Sequence, residues 1–416
     1  MKKCLLSLLC IGLGLGMITH AQTPFTVADD DVLIYLQSVN GKQVYVAQQG
    51  TARYTYTLAD DECASISPDG RYIAISQKHP ATLKIMDFSS QQIVFETHWS
   101  NLWERCRMRW DENNHFILLN TVDEQYIWLY FKFENATLTP STLPIPDYPQ
   151  LPHFTPTLEP GNIRTFYLQN PVYPNIYLYH QCFIEAMLGY DCPYEGTVIH
   201  DLSTNSDIER VSVSATSVVG FYVELDGTQV LRYRVNFDIV GWSPNGRYLA
   251  FFDKNIVTEI INGGQIRIYD LQENRYIEDR DNLYPFNFNH RVLWSNTNIL
   301  LIWKTGRFLG EASDYNDSLA QLVFYNPDTQ TGVNSEDIFD VMSGAIFSPD
   351  GDSLLIIGKP VIGDTPPVFD NFPLRADLIR ISTTTGEHTV IDTNITEIIS
   401  WRKLDVGEVW GNELTE

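Results

Sequence analysis

Past residue 18 the chain has no uninterrupted apolar run near the roughly 20 residues that a membrane-spanning helix needs, which argues against a helical span in its body. Basic residues are scarce, with 28 Lys and Arg against 52 Asp and Glu. Nucleic acid and anionic membrane both call for positive surface, so neither is expected as a partner. No Cys-x-x-Cys occurs among the six cysteines, and Gly-x-Ser-x-Gly, His-Glu-x-x-His and a phosphate-cradling Gly-Lys-Ser/Thr are all missing. These absences remove the common signatures of redox, serine-hydrolase, zinc-protease and nucleotide chemistry. Nothing calls for a cofactor.

What is present begins with Lys2, Lys3, an apolar run from Cys4 to Ile18 and Thr19-His20-Ala21. That layout predicts a secretory signal peptide over 1–21, cleaved after Ala21, and hence a periplasmic or extracellular protein. Cys10 follows Leu8 and Leu9, which does not suit a lipid anchor, and Gly12, Gly14 and Gly16 sit inside the leader rather than after a strand. Removing the leader leaves 26 basic and 52 acidic residues, a formal charge of −26. Asp29-Asp30-Asp31 and Asp60-Asp61-Glu62 lack an ordered calcium-ligand spacing and read as solvated loops. Export permits disulfides. Cys182 and Cys192 bracket one loop, and Cys63 and Cys106 stand almost equivalently before two successive hairpins, so these two bridges are expected, one of the three possible connectivities.

The dominant pattern is Gly241-Trp242-Ser243-Pro244-Asn245-Gly246-Arg247-Tyr248-Leu249-Ala250-Phe251. Pro presets the second position of a β-turn and Gly accepts the left-handed fourth, so two apolar strands meet at a tight turn. Clear copies start at Ile66 and Phe347, and worn ones at Trp110, Gln169 and Trp294. Ile399-Ser400-Trp401 reads as a lone first strand. A second strand type, ending in a polar turn, recurs around Tyr45, Met86, Tyr130, His200, Tyr269, Tyr325 and Arg380. Both series count to seven.

Val32–Gln37, Gln43–Gln48 and Arg53–Leu58 read as three strands with no first partner, which the strand at Ile399 would supply. The expected fold is therefore all-β, a seven-bladed propeller of four-stranded antiparallel blades over 30–405, closed by both termini in one blade. Residues 22–29 precede it and 406–416 form a tail. The stretch 217–235 reads as an extra hairpin, assigned to an insertion. First strands crowd the axis, so small residues are expected there, as at Ala64-Ser65, Gly241 and Gly344-Ala345. In the second copy Arg105, Arg107 and Arg109 alternate on one strand face instead. They can line the channel and hold an anion, or pair with the abundant carboxylates.

The Trp-Ser-Pro-Asn-Gly-Arg-Tyr-Leu-Ala-Phe stretch at 242–251, with Ser-Pro-Asp-Gly at 67–70 and 348–351, resembles the WD40-like repeat of the TolB-type β-propellers of exported bacterial proteins. The resemblance implies a periplasmic propeller that binds partner proteins. The chain departs from that family in leaving only about ten residues between the expected cleavage site and the first strand, too few for an N-terminal α/β domain. It also leaves fifteen residues after Trp401, too few for the hydrolase domain of exported propeller peptidases. Neither activity carries over.

His180 and His200 lie on successive strands and can approach Glu185 or Glu195, but an undefined ligand count makes hydrogen-bonded histidines the better reading than a metal site. The long insertions Gln181–Gly196, Asp253–Gly264, Lys304–Ala320 and Gly358–Ala376 all follow second strands, and Pro140–Pro160 connects blades on the same side. Binding residues concentrate on loops held by a rigid scaffold. Phe183, Tyr190, Tyr194, Arg307, Phe308, Tyr315, Phe369 and Phe372, with Arg107 and Arg109, are the candidate contacts. The expected function is non-catalytic recognition of a protein, peptide or glycan; the alternative is a propeller lyase or hydrolase with a site at the channel mouth.

Overall fold

The computed structural model describes residues 27–77, 81–98, 108–110, 115–122, 125–134, 136–141, 162–183, 194–211, 218–225, 228–235, 240–253, 264–277, 285–286, 292–305, 319–361 and 376–403. Every regular element among them is a β-strand. No helix among them is long and apolar enough to cross a membrane.

The chain opens with β1 (Asp31–Val39), β2 (Lys42–Gln49) and β3 (Ala52–Thr57), close to the three strands expected. Three antiparallel four-stranded sheets follow. They are β4 (Glu62–Ile66), β5 (Tyr72–Gln77), β6 (Thr82–Asp87) and β7 (Ile93–His98); β8 (Met108–Trp110), β9 (His115–Val122), β10 (Gln125–Glu134) and β11 (Thr137–Ser141); then β12 (Asn162–Gln169), β13 (Ile176–Phe183), β14 (Tyr194–Asp201) and β15 (Ser206–Val211). Next, β16 (Val218–Leu225) and β17 (Thr228–Val235) pair only with each other, so the doubtful hairpin is a separate two-stranded sheet. The next sheet orders β18 (Val240–Trp242), β19 (Tyr248–Asp253), β20 (Gly264–Asp270) and β21 (Arg275–Ile277), with β22 (Pro285–Phe286) also on β20.

The remaining strands are β23 (Leu293–Trp294), β24 (Leu300–Thr305), β25 (Leu319–Asn326), β26 (Thr331–Phe347), β27 (Ser353–Pro360), β28 (Ala376–Ser382) and β29 (His388–Lys403). Two of these serve two sheets each. The first part of β26 pairs with β25 up to Asp340 and its second with β27 from Phe339, the register with β27 slipping near Gly344, which takes φ 66°. Likewise β29 pairs with β28 up to Ile395 and with β1 beyond it, next to Asn394 at φ 61°. A left-handed residue inside a strand makes a bulge that turns the strand into a new plane. This continuity links the last strands to β1–β3 in one ten-stranded array, and the expected union of the chain ends holds, with Leu33 opposite Trp401 and Tyr35 opposite Ile398.

The sheets stack face on face. In β1, Val32, Ile34 and Leu36 pack with Ile73 and Ile75 of β5, while Leu33 and Tyr35 on the opposite face pack with Leu355, Ile357 and Leu378. In β5 the alternation repeats, since Ala74 turns away from Ile73 and Ile75 to meet Met108, Trp110 and Phe116. Side chains alternate across a strand, so both faces of these strands are buried and the sequence reads as continuous apolar runs. A fourth apolar cluster joins Leu178 and Ile199, Phe251 and Ile268, Leu301 and Phe324, and Leu354 and Ile379.

Candidate functional site

Each Ser-Pro-x-Gly turn is built the same way. At 243–246 the Ser243 hydroxyl donates to Asn245 Oδ1 at 2.6 Å and accepts from the Tyr248 amide at 2.9 Å, while the Gly246 amide donates to the Ser243 carbonyl. Ser67 with Asp69 and Ser348 with Asp350 repeat these bonds. The glycines take φ of 71°, 69° and 79° at 70, 246 and 351, a region costly for other residues. In the worn copy, Asn298 stands at φ 64° in the glycine's role, which Asn tolerates best among side-chain-bearing residues.

The third-to-fourth-strand turns lie beside these. Phe88 N donates to Arg71 O, Leu202 N to Asn175 O, Leu271 N to Arg247 O and Thr383 N to Asp352 O. At the corresponding place Pro327 has no N–H to give. The preceding residue caps each turn: Asp87, Asp201 and Asp270 accept from amides two and three residues on or their hydroxyls. Burial works to raise the Asp270 carboxyl, but hydrogen bonds from Arg247 and the Glu273 and Gln272 amides outweigh it and hold it below its ordinary value. Arg247 binds Asp270 through Nε and Nη2 and reaches Asp328 at 3.2 Å, where the Tyr248 hydroxyl also donates.

Neighbouring turns are stitched together. Asn170 Nδ2 donates to Gly246 O at 2.7 Å, Asn245 N to Asn298 Oδ1 at 3.0 Å and Asn296 Nδ2 to Pro349 O at 3.1 Å. Deeper in the same strands Trp110 Nε1 donates to Ser65 O and Trp294 Nε1 to Gly241 O, both at 3.0 Å. Tyr45 Oη does the same to Ala64 O, and burial pushes its hydroxyl up to about 12. A Cβ on Gly241 would come into ordinary van der Waals contact with Val292 and Trp294 of the next sheet. These groups are occupied in joining sheets.

In the acidic cluster at 29–31, Asp29 and Asp30 are exposed as expected, but Asp31 begins β1 and is buried, opposite Lys403. Asp60 and Asp61 are exposed as expected, but Glu62 opens β4 and accepts from Tyr56 Oη and the Ala59 amide. His200 is buried, with Nδ1 2.8 Å from Asp207 Oδ1, and Tyr179 Oη donates to the same carboxylate. Among the described residues no group of three metal-ligating side chains converges.

The expected contact residues are placed only in part. Phe183 ends β13 and Tyr194 begins β14, where the backbone registers Cys182 with Tyr194, and Arg109 lies in β8 opposite Ile117. Their side chains, and residues Arg107, Tyr190, Cys192, Arg307, Phe308, Tyr315, Phe369 and Phe372, lie outside the described residues. Cys63 is disulfide-bonded and packs against the cluster holding Met108 and Trp110; Cys106 lies outside the described residues.

The sequence matches no protein-family model and no curated protein. Among solved structures, the chain is similar to a eukaryotic initiation factor at 10 % identity and TM-score 0.44, covering 89 % of this chain and 97 % of that one. It is similar to a putative 6-phosphogluconolactonase from Bacteroides uniformis at 10 % identity and TM-score 0.36, covering 90 % and 99 %. TolB from Acinetobacter baumannii matches at 9 % identity and TM-score 0.26, over 75 % of this chain and 65 % of that one.

Proposed function

We propose that the chain is an exported seven-bladed β-propeller that binds a protein, peptide or glycan without transforming it. The blade count rests on grouping strands by fours: β4–β7, β8–β11, β12–β15, β18–β21, β23–β25 with the first part of β26, its second part with β27, β28 and the first part of β29, and the rest of β29 with β1–β3. The hairpin β16 and β17 is an insertion between the third and fourth groups. Burial of both faces of β1 and β5 supports radial stacking, since a sheet covered on both sides by neighbouring sheets has to continue around.

The observation that carries the binding reading is the contrast between the two ends of the strands. At the short-turn end the polar groups are consumed by intrachain bonds, from Arg247 with Asp270 to Asn170 with Gly246. At the opposite end, chain length accumulates after β13, β19, β24 and β27, four second strands in succession. An enzyme needs titratable groups converging on a pocket, and among the described residues the carboxylates and histidines with named partners serve the fold.

Binding to an immobilised panel of peptides and oligosaccharides tests the reading. The combined Tyr190→Ala, Phe308→Ala and Phe369→Ala variant should lose at least about tenfold in affinity for whatever the wild type retains, as removal of buried anchors does. Asn245→Ala and Asp350→Ala in the short turns should bind normally. Loss confined to those two, or release of new products from the oligosaccharides, would overturn it in favour of the other end or of an enzyme.

A further inference from the structure

At the short-turn end of the closing strand pair, Asp31 faces Lys403 across the β1 and β29 register. Its residue is 6 % exposed. Like charge surrounds it: Asp30 precedes it, and Asp350 approaches from the turn between β26 and β27. Asp350 is itself held ionised, since the hydrogen bonds from Ser348 and the Asp352 amide, with Arg380 behind them, outweigh its burial. The cation that faces it in the register is already engaged, with Lys403 Nζ 2.7 Å from Asp30 Oδ2. Asp29, the remaining acid of the segment, points at Gly50. The Trp401 indole is the other group that favours the ionised Asp31 carboxylate.

We propose that Asp31 makes the junction of the chain ends a pH-sensitive latch, tight when its carboxyl is protonated and loosened when it ionises. A buried carboxylate between two like charges is costly, whereas the neutral acid removes the repulsion from Asp30 and Asp350 and still fits the site. Burial, then Asp30 and Asp350, push the Asp31 carboxyl up to about 6 against the pull of Lys403 and Trp401. Because the folded value is raised, the stability it confers is fully present below about pH 4 and is lost as pH rises through about 6. The register puts this change on the strand pair that joins the N- and C-terminal segments, so its consequence is local opening of β1 from β29.

The Tm of the purified chain at about pH 5 and about pH 7.5 tests this. The wild type should lose about 2 °C more than Asp31→Asn over that interval. Equal losses would overturn the proposal. A second variant guards against failure of the first to fold: Lys403 is exposed, and Lys403→Met removes only its charge. Its Tm deficit relative to wild type should grow from about pH 5 to about pH 7.5, because the pairing with Asp30 is lost equally at both values whereas Asp31 needs that charge only once it ionises. A deficit equal at both pH values would overturn the proposal as surely.

Discussion

Two junctions between a first and a second strand can be set side by side. Between β18 and β19 the chain is continuous, and Ser243 closes the turn with bonds to Asn245 and to the Tyr248 amide. Between β29 and β1 there is no turn, and residues about 370 positions apart do the same job: Lys403 meets Asp30, and the strands are held further along by Asp392. The Asp392 carboxylate accepts from Tyr35 Oη at 2.8 Å, Gln37 Nε2 at 2.9 Å and Arg53 Nη2 at 2.8 Å, so one side chain of β29 ties β1 and β3 together. A covalent turn supplies its own effective concentration. A split one must draw that from side chains and from buried surface, which makes it the place where the ten-stranded array is most easily opened.

The largest effect should come from removing the split junction. Ending the chain at Asn394 deletes the Ile395 and Trp401 side chains from the core and leaves β1 without its partner. Each such side chain is worth about 2–3 kcal/mol of burial, and the β1 backbone bonds go with them. The truncated chain should show no cooperative melting transition at the wild-type temperature by circular dichroism. An unchanged transition would mean that the array does not depend on this pair.

A smaller loss is expected from Asp392→Ala, which strips three side-chain donors of a common acceptor in a half-buried site. About 2–3 kcal/mol in urea unfolding is the expected loss, discounted for the exposure of Arg53. Smallest is the covalent junction: Ser243→Ala should cost about 1–2 kcal/mol, the value of a buried hydroxyl that both donates and accepts. If Ser243→Ala proved costlier than Asp392→Ala, the split junction would not be the weak point, and the comparison would invert.

Much of this was legible in the sequence, and the reason is local. Ser67, Ser243 and Ser348 stand at fixed offsets from an Asx residue and a Gly, and the bonds they make span at most five residues, so the turn is encoded where it forms. The union of the termini was legible by counting, since three strands at one end lacked a first strand and one at the other lacked partners. Less legible were β26 and β29, whose 17 and 16 residues cross two sheets through Gly344 and Asn394. A polar or glycine break inside a strand looks the same in sequence whether the chain turns back or only bends. Asn170 gave no signal that it would reach Gly246, because its partner lies 76 residues away.

By itself, then, the chain determined its all-β character, its repeating Ser-Pro-x-Gly hairpins and the pairing of its ends, because turn chemistry and alternating apolar residues act over a handful of positions. Only the tertiary structure decided what the surplus charges do. Asp29-Asp30-Asp31 is three identical residues in sequence, yet one faces Gly50, one holds Lys403 and one is buried beside Asp350. A carboxylate's environment is set by whichever distant strand packs over it, and electrostatic energy depends on distance and burial rather than on order along the chain.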